Sequence, residues 1–305
     1  MALALISGGS GLIGKALVHE LNQHGHKSVV LSRNPQNTSN SSENVYWDGI
    51  HPELWTEWVE KADWIINLAG ENIGAKPWTE TRLREITDSR VFAGELLSEA
   101  IARASRRPSV FLQMSAIGYY GVQNPGDVEA WDETRPSGDD RMSAICREWE
   151  ASTEKVESLG VRRIITRTGL VLAHNGGVLN NLELPFKLFV GGPVGSGRQV
   201  YSWIHIDDLV KGMLTLLENT KANGAFNLTS PHPASNAEFG KLIGDILHRP
   251  YWMPVPAFAL RLVLGEMSTL VLDGQRIIPG RLTKEFDFQF KYPNLPQALK
   301  QIHSE

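Results

Sequence analysis

Cysteine is almost missing from this 305-residue chain: Cys146 stands alone. No internal disulfide can form, and no Cys/His cluster has the spacing of a zinc site, so a reducing, cytoplasmic setting is expected and no metal. Long apolar runs are missing too. Met1 to Ile6 is apolar, but no basic segment precedes it and it runs straight into a glycine loop, so it reads as a strand and not a leader; no membrane span is expected. Nor is there an excess of positive charge. The net charge is −4, and the nearest basic cluster, Arg103 to Arg107, falls where a helix should end and cations complement its dipole. Nucleic acid is therefore not an expected partner. What is present is ordinary globular material, 42% hydrophobic and 21% charged, in a length that favours one large domain plus a smaller lobe.

The rhythm along the chain is strand, helix, strand. Ala2 to Ser7 is a short buried strand, Leu12 to His24 carries apolar residues at helical spacing, and Val29 to Leu31 is a second strand beyond a Gly25 suited to a helix C-terminus. A polar loop is expected over Asn34 to Asn44, a short helix over Glu53 to Lys61, and strands at Trp64–Ala69, Val110–Met114 and Arg163–Arg167. Helices are expected between them at Glu80–Ala104 and Met142–Leu159. Strands alternating with helices of this length imply a doubly wound parallel sheet of Rossmann type, an α/β fold. Beyond Leu172 glycines break the pattern, at Gly176-Gly177, Gly191-Gly192 and Gly195-Ser196-Gly197. We place the Rossmann domain at residues 1–172, with returning segments at about 200–228, and a smaller C-terminal α+β substrate lobe over most of 173–305. Helices at Asp208–Leu217 and Asn236–Leu247 and a strand at Ala225–Leu228 belong to this second half.

Gly8, Gly11 and Gly14 lie between the first strand and the first helix, with a second strand beyond. In such loops the first glycine permits the turn, the second lets backbone approach a pyrophosphate, and the third lets helix pack on strand, while the helix N-terminus supplies amides and positive dipole. The end of the second strand reads the ribose. A carboxylate there would bond a 2′-hydroxyl and repel a 2′-phosphate, but the residues are Ser32 and Arg33, a hydroxyl and a guanidinium that suit a phosphate. NADP(H) is the expected cofactor. Asp48 either faces the adenine or caps a turn. His205 with Asp207 and Asp208 offers metal-ligand types, but one of these aspartates is better used as the N-cap of the helix that follows.

Further segments carry a resemblance. Asn67-Leu68-Ala69-Gly70-Glu71-Asn72-Ile73, Asp88-Ser89-Arg90, Gly118-Tyr119-Tyr120-Gly121, the stretch Gly191 to Gly197, Trp203 to Asp208, and Gly274-Gln275-Arg276-Ile277-Ile278-Pro279 occur in fixed order. With them the chain resembles an atypical extended short-chain dehydrogenase/reductase, of the branch of the epimerase family described as YfcH-like. The resemblance implies that Gly8, Gly11, Leu12, Ile13 and Gly14 meet the pyrophosphate and Ser32 and Arg33 the 2′-phosphate. It also implies that Leu68, Ala69 and Gly70 line the adenosine side, and that Glu85, Arg90 and Val171 contact cofactor. Arg90 could equally pair with Glu85 or Glu95 on its own helix, and Val171 could be core.

The chemistry departs from the pattern. Active members of the superfamily use a Tyr with a Lys four residues later to move the proton, the ammonium lowering the phenol's pKa. None of the six tyrosines here has a Lys at that spacing. Met142 stands where the Tyr is expected and Cys146 where the Lys is expected, and neither does that work. Ser115 is left as a candidate for bonding a substrate carbonyl or hydroxyl, with Tyr119 and Tyr120 as candidate replacement acids. Two functions follow: an NADP-dependent oxidoreductase or epimerase acting on an unidentified small polar substrate, or a non-catalytic NADP(H)-responsive binding protein. Extended members are often dimers, so a homodimer is a further expectation.

Overall fold

The computed structural model describes residues 1–35, 42–49, 51–174 and 176–304, the side chain of Glu53 excepted. The first half runs β1 (Leu3–Ser7), α1 (Leu12–Gln23), β2 (Lys27–Ser32), β3 (Glu43–Tyr46), α2 (Thr56–Lys61), β4 (Trp64–Asn67), α3 (Glu80–Arg103), β5 (Val110–Ala116), α4 (Arg141–Ala151), α5 (Lys155–Ser158) and β6 (Arg162–Thr168). The second half continues with β7 (Leu170–Ala173), β8 (Gly176–Gly177), α6 (Leu179–Lys187), β9 (Val200–Tyr201), β10 (Trp203–His205), α7 (Ile206–Glu218), β11 (Gly224–Leu228), β12 (Ala234–Ser235), α8 (Asn236–Leu247), α9 (Ala257–Leu264), α10 (Thr269–Leu272), α11 (Gly280–Phe286) and α12 (Leu295–Ile302).

Seven strands pair in the order β3-β2-β1-β4-β5-β6-β11, every pair parallel. This is the doubly wound arrangement, which reverses direction beside β1 and opens a crevice at the carboxyl ends of β1 and β4. Its strands are apolar on both sides because both sides are covered. Ala4 and Ile6 of β1 point into a core shared with Leu17 and Leu21 of α1 and Leu209 and Met213 of α7. Leu5, between them, points into a second core with Val59 of α2 and Leu97 and Ile101 of α3, as the two-residue period of a strand requires. A third core belongs to the smaller lobe, where Leu172, Phe186, Trp203, Phe239 and Leu299 pack together.

The chain crosses between lobes several times. β10 pairs with β7 in a small sheet, while α7 and β11 return to the large one. Leu282 and Phe288 pack on the large core as well, before α12 closes the third.

Four local expectations need correction. The helix expected over Met142–Leu159 is two, α4 and α5. Ser152 and Thr153 bond their hydroxyls to the carbonyls of Trp149 and Glu150, competing with the helical ladder, and Arg163 takes the Glu150 carbonyl. The stretch at Glu53–Lys61 splits into a single tight turn at Pro52–Leu54 and α2, separated by Trp55 in a non-helical conformation. The loop expected over Asn34–Asn44 gives way to β3 from Glu43, which pairs with β2; residues 36–41 of it lie outside the described residues. Finally, neither aspartate caps α7. His205 does, its ring accepting from the Asp207 amide, and Asp208 instead accepts from the amides of Lys291 and Tyr292.

Candidate functional site

The glycine loop joins β1 to α1 at the crevice. Gly8 has φ +72°, and a Cβ there would lie 2.6 Å from the Leu68 carbonyl oxygen. A Cβ on Gly14 would lie 2.4 Å from Gly9 Cα, so only glycine lets α1 sit this close to its own loop. Gly11 begins α1 with no side-chain cap and no acid in the first turn, leaving the first amides free of side-chain acceptors and the positive helix end unneutralised. Leu12 reaches over to Gly176 and Gly177 of β8, its side chain about where a Cβ on either would touch. Ile13 is half-buried against the large core.

Ser32 is buried at the end of β2, its hydroxyl accepting from the Asn34 amide. Arg33 extends outward with 81% of its side chain exposed, and its nearest carboxylate, Glu71, is 3.9 Å away. Asp48 accepts from the amide and ring of His51, the turn-capping role. Leu68, Ala69 and Gly70 follow β4 directly beside the loop. The Ala69 amide donates to Asn67, and Gly70 lies against the guanidinium of Arg90, whose Cζ is 3.1 Å from a Cβ position.

Arg90 pairs with neither Glu85 nor Glu95. Glu85 is bound by Arg82 at 2.9 Å. Arg90 donates to the carbonyls of Ile86 and Glu71 and stacks on Trp149 at 4.9 Å, and burial holds its guanidinium below the usual range. Val171 lies on β7, half-buried against the large core and opposite Ile204.

Beyond Arg90 opens a cavity of about 580 Å³ between the lobes. Ala116 at the end of β5, with Ile117 and Gly118 after it, forms one wall, Met142 and Cys146 of α4 the next, and Gly274 and Gln275 of the tail another. Met142 and Cys146 both face Gly118, each 3.6 Å from a Cβ position there. Burial pushes the Cys146 thiol up to about 12, with Glu150 adding to the effect. It is neither a nucleophile nor a base at neutral pH.

Ser115, Tyr119 and Tyr120 do not line this cavity. Ser115 is fully buried and donates to Glu150 at 2.7 Å. Glu150 takes two bonds from Arg167, each 2.9 Å. Arg167 donates a third to the Tyr120 hydroxyl, which itself donates to Asn227 at 2.7 Å. The Tyr119 ring lies under the same guanidinium, 3.4 Å from its carbon. Burial pushes the Tyr120 phenol up to about 12, despite the nearby Arg167 charge, and although burial opposes it, bonding to Glu150 holds Arg167 above its usual range. The network ties β5, α4, β6 and β11 together, and Asn227 extends it to the Ile278 carbonyl of the tail.

Sequence reasoning missed several of the cavity's other residues. Trp149 and Leu270 carried no motif, and Asp273 precedes the Gly274–Pro279 segment, which was legible only as a signature. That segment now has a place. Gln275 bonds the Ile117 carbonyl and Ile277 the Ser202 hydroxyl, so the tail threads between the lobes and walls the cavity. Among the described residues no His/Cys/Asp/Glu group is arranged to hold a metal, and no helix is long and apolar enough to cross a membrane.

The sequence profile of the NAD dependent epimerase/dehydratase family matches residues 4–229, glycine loop through β11. The chain belongs to that family. A second profile, the Domain of unknown function (DUF1731), matches residues 255–302 and so takes in the tail that walls the cavity. Among epimerase family relatives, SERP0438 of Staphylococcus epidermidis is 38% identical over 98% of each chain. The chloroplastic SDR39U1 homolog of Arabidopsis thaliana is 37% identical over 97% of this chain and 85% of its own. Human epimerase family protein SDR39U1, solved with NADPH, superposes with a TM-score of 0.85 at 33% identity over 99% of both chains. The likeness extends through both lobes.

Proposed function

We propose that this epimerase-family protein binds NADP(H) along the crevice and acts as an oxidoreductase or epimerase on a small molecule held between the lobes. The observation that carries the reading is Arg90. Its guanidinium touches Gly70 on the cofactor side and lines the interlobe cavity, so the two sites are one continuous cleft.

The residues present fit the cofactor. The uncapped start of α1, with Gly8, Gly11, Leu12, Ile13 and Gly14, would receive the pyrophosphate. The extended Arg33, beside Ser32, would take the 2′-phosphate, drawn from its loose approach to Glu71 by a doubly charged acceptor. Leu68, Ala69 and Gly70 would flank the adenosine, and the NADPH carried by human SDR39U1 supports the same choice. When bound, the cofactor supplies hydride transfer. The chain's own contribution is to exclude water with the apolar cavity wall and to fix that wall through the Ser115–Glu150–Arg167–Tyr120 network. On this reading Ser115, Tyr119 and Tyr120 are positioning residues.

Met142 and Cys146 favour a second reading, a protein that binds NADP(H) and changes shape without turnover, since neither moves a proton. NADPH oxidation against a panel of carbonyl compounds separates the two. Consumption of NADPH supports the enzyme. A silent panel, together with cofactor-dependent protection of residues after Leu172 from protease, supports the binding protein.

A further inference from the structure

The cavity walls are mostly carbon, from Ile73, Trp78, Met142, Ile145, Trp149 and Leu270. The polar side chains among them are largely bonded back into the protein. Arg90 is spent on two carbonyls, as described. Arg141 holds Glu80 at 2.8 Å and Glu266 at 3.6 Å, and the Tyr201 hydroxyl donates to the Val271 carbonyl. Asp140 caps α4, accepting from the amide and hydroxyl of Ser143.

Asp273 differs. It sits at the end of α10, lines the cavity and is half-buried, with no hydrogen bond or ion pair to its carboxylate among the described residues. Burial lifts this carboxyl above its usual range, while the Arg261 charge draws it down and the Asp140 charge pushes it up. A half-buried carboxylate with no protein donor keeps its acceptor sites open to water or to the hydroxyl of a ligand.

We infer that the cavity takes an uncharged, ring-sized apolar ligand bearing one hydroxyl, with Asp273 as the acceptor that anchors it, and that it excludes sugar nucleotides. This rests on the cofactor reading above, because NADP(H) then fills the loop side and leaves the apolar side to the second ligand. A diphosphate needs free cations, and both guanidiniums on the wall are already engaged. The carboxylates of Asp140, Glu266 and Asp273 would repel it. An amine would have to shed its hydration against the apolar walls for a single half-buried carboxylate. Apolar walls with few fixed polar groups are the usual form of a small-molecule site, and burying a ring against them drives binding through the area removed from water.

The test is isothermal titration calorimetry on NADPH-saturated protein with 2-naphthol, naphthalene-2-carboxylate and UDP-glucose as probes. One 2-naphthol is expected to bind per chain, with no heat from UDP-glucose at the same concentration. Asp273→Ala should weaken 2-naphthol about tenfold or more, the loss of one hydrogen bond to a charged partner, and strengthen naphthalene-2-carboxylate. Met142→Arg should abolish 2-naphthol binding by filling the cavity, with its melting temperature reporting that it folds. UDP-glucose binding in preference to 2-naphthol would overturn the inference, as would an Asp273→Ala protein that treats the two naphthalene probes as the wild type does. NADPH is titrated separately. If it fails to bind, the cofactor reading falls, and the same three probes on the cofactor-free protein still decide the cavity.

Discussion

Around the glycine loop polar groups are held ready: α1 starts without a side-chain cap and Arg33 extends with most of its side chain in solvent. At the other end of the cleft they are used up, with Ser115, Glu150, Arg167, Tyr120 and Asn227 bonded to one another in the interior. The first arrangement leaves its donors to water and so open to an anion. The second is complete without a ligand. Residue type alone does not distinguish them, since arginine and serine occur in both. Whether their donors and acceptors are already engaged does.

The open end is broken at its glycine loop. Gly8→Ala places a Cβ 2.6 Å from the Leu68 carbonyl in a left-handed conformation, so loop and β4 must move apart. We expect NADPH affinity to fall about 100-fold or more, equivalent to about 3 kcal/mol, read by cofactor fluorescence titration. The closed end is broken by Arg167→Met, which leaves Glu150 buried without its partner. Unfolding in urea should show about 3–5 kcal/mol of lost stability, with part recovered when Glu150→Gln is added.

Alkaline pH probes the same interior. Burial pushes Cys146 and Tyr120 each up to about 12 in the folded protein, against roughly 8.5 and 10 in an unfolded chain. Their folded pKa values are raised, so their contribution is fully present below the unfolded values and lost as pH climbs toward 12. Stability should decline from about pH 9, by about 1.4 kcal/mol per pH unit for each proton involved. Cys146→Ala should delay the onset by about one unit, to where the phenol begins to titrate; an unchanged onset would mean that the thiol is not buried. The smallest effect belongs to Ser115→Ala, about 1 kcal/mol, because Glu150 keeps both bonds from Arg167.

The fold and its cofactor end were legible because their physics is local. The apolar run of β1, the glycine triplet and the residue after β2 all lie between Leu3 and Arg33, and Ala4, Leu5 and Ile6 run apolar without a break because both faces of the strand are covered. The rest depends on distant segments. Nothing in the spacing of Ser115 says that Glu150 claims its hydroxyl, 35 residues on, or that Asn227 claims the hydroxyl of Tyr120, 107 residues on. His205 was visible as a candidate ligand, but its role as the cap of α7 needed the backbone conformation. Asp273 had no motif at all. It matters because the tail brings it to a wall built from α3, α4 and β5, and only the fold makes those elements neighbours.

On the proposed reading Arg33 holds the 2′-phosphate of NADP(H) beside a loop that holds the pyrophosphate. Dissociation constants for NADPH and NADH, measured on the wild type and on Arg33→Asp, test it most directly. The wild type should bind NADPH at least about tenfold more tightly than NADH, the value of one charge-assisted pair, and the variant should lose that preference while keeping its NADH affinity. Equal affinities in the wild type, or a variant that loses both cofactors alike, would contradict it.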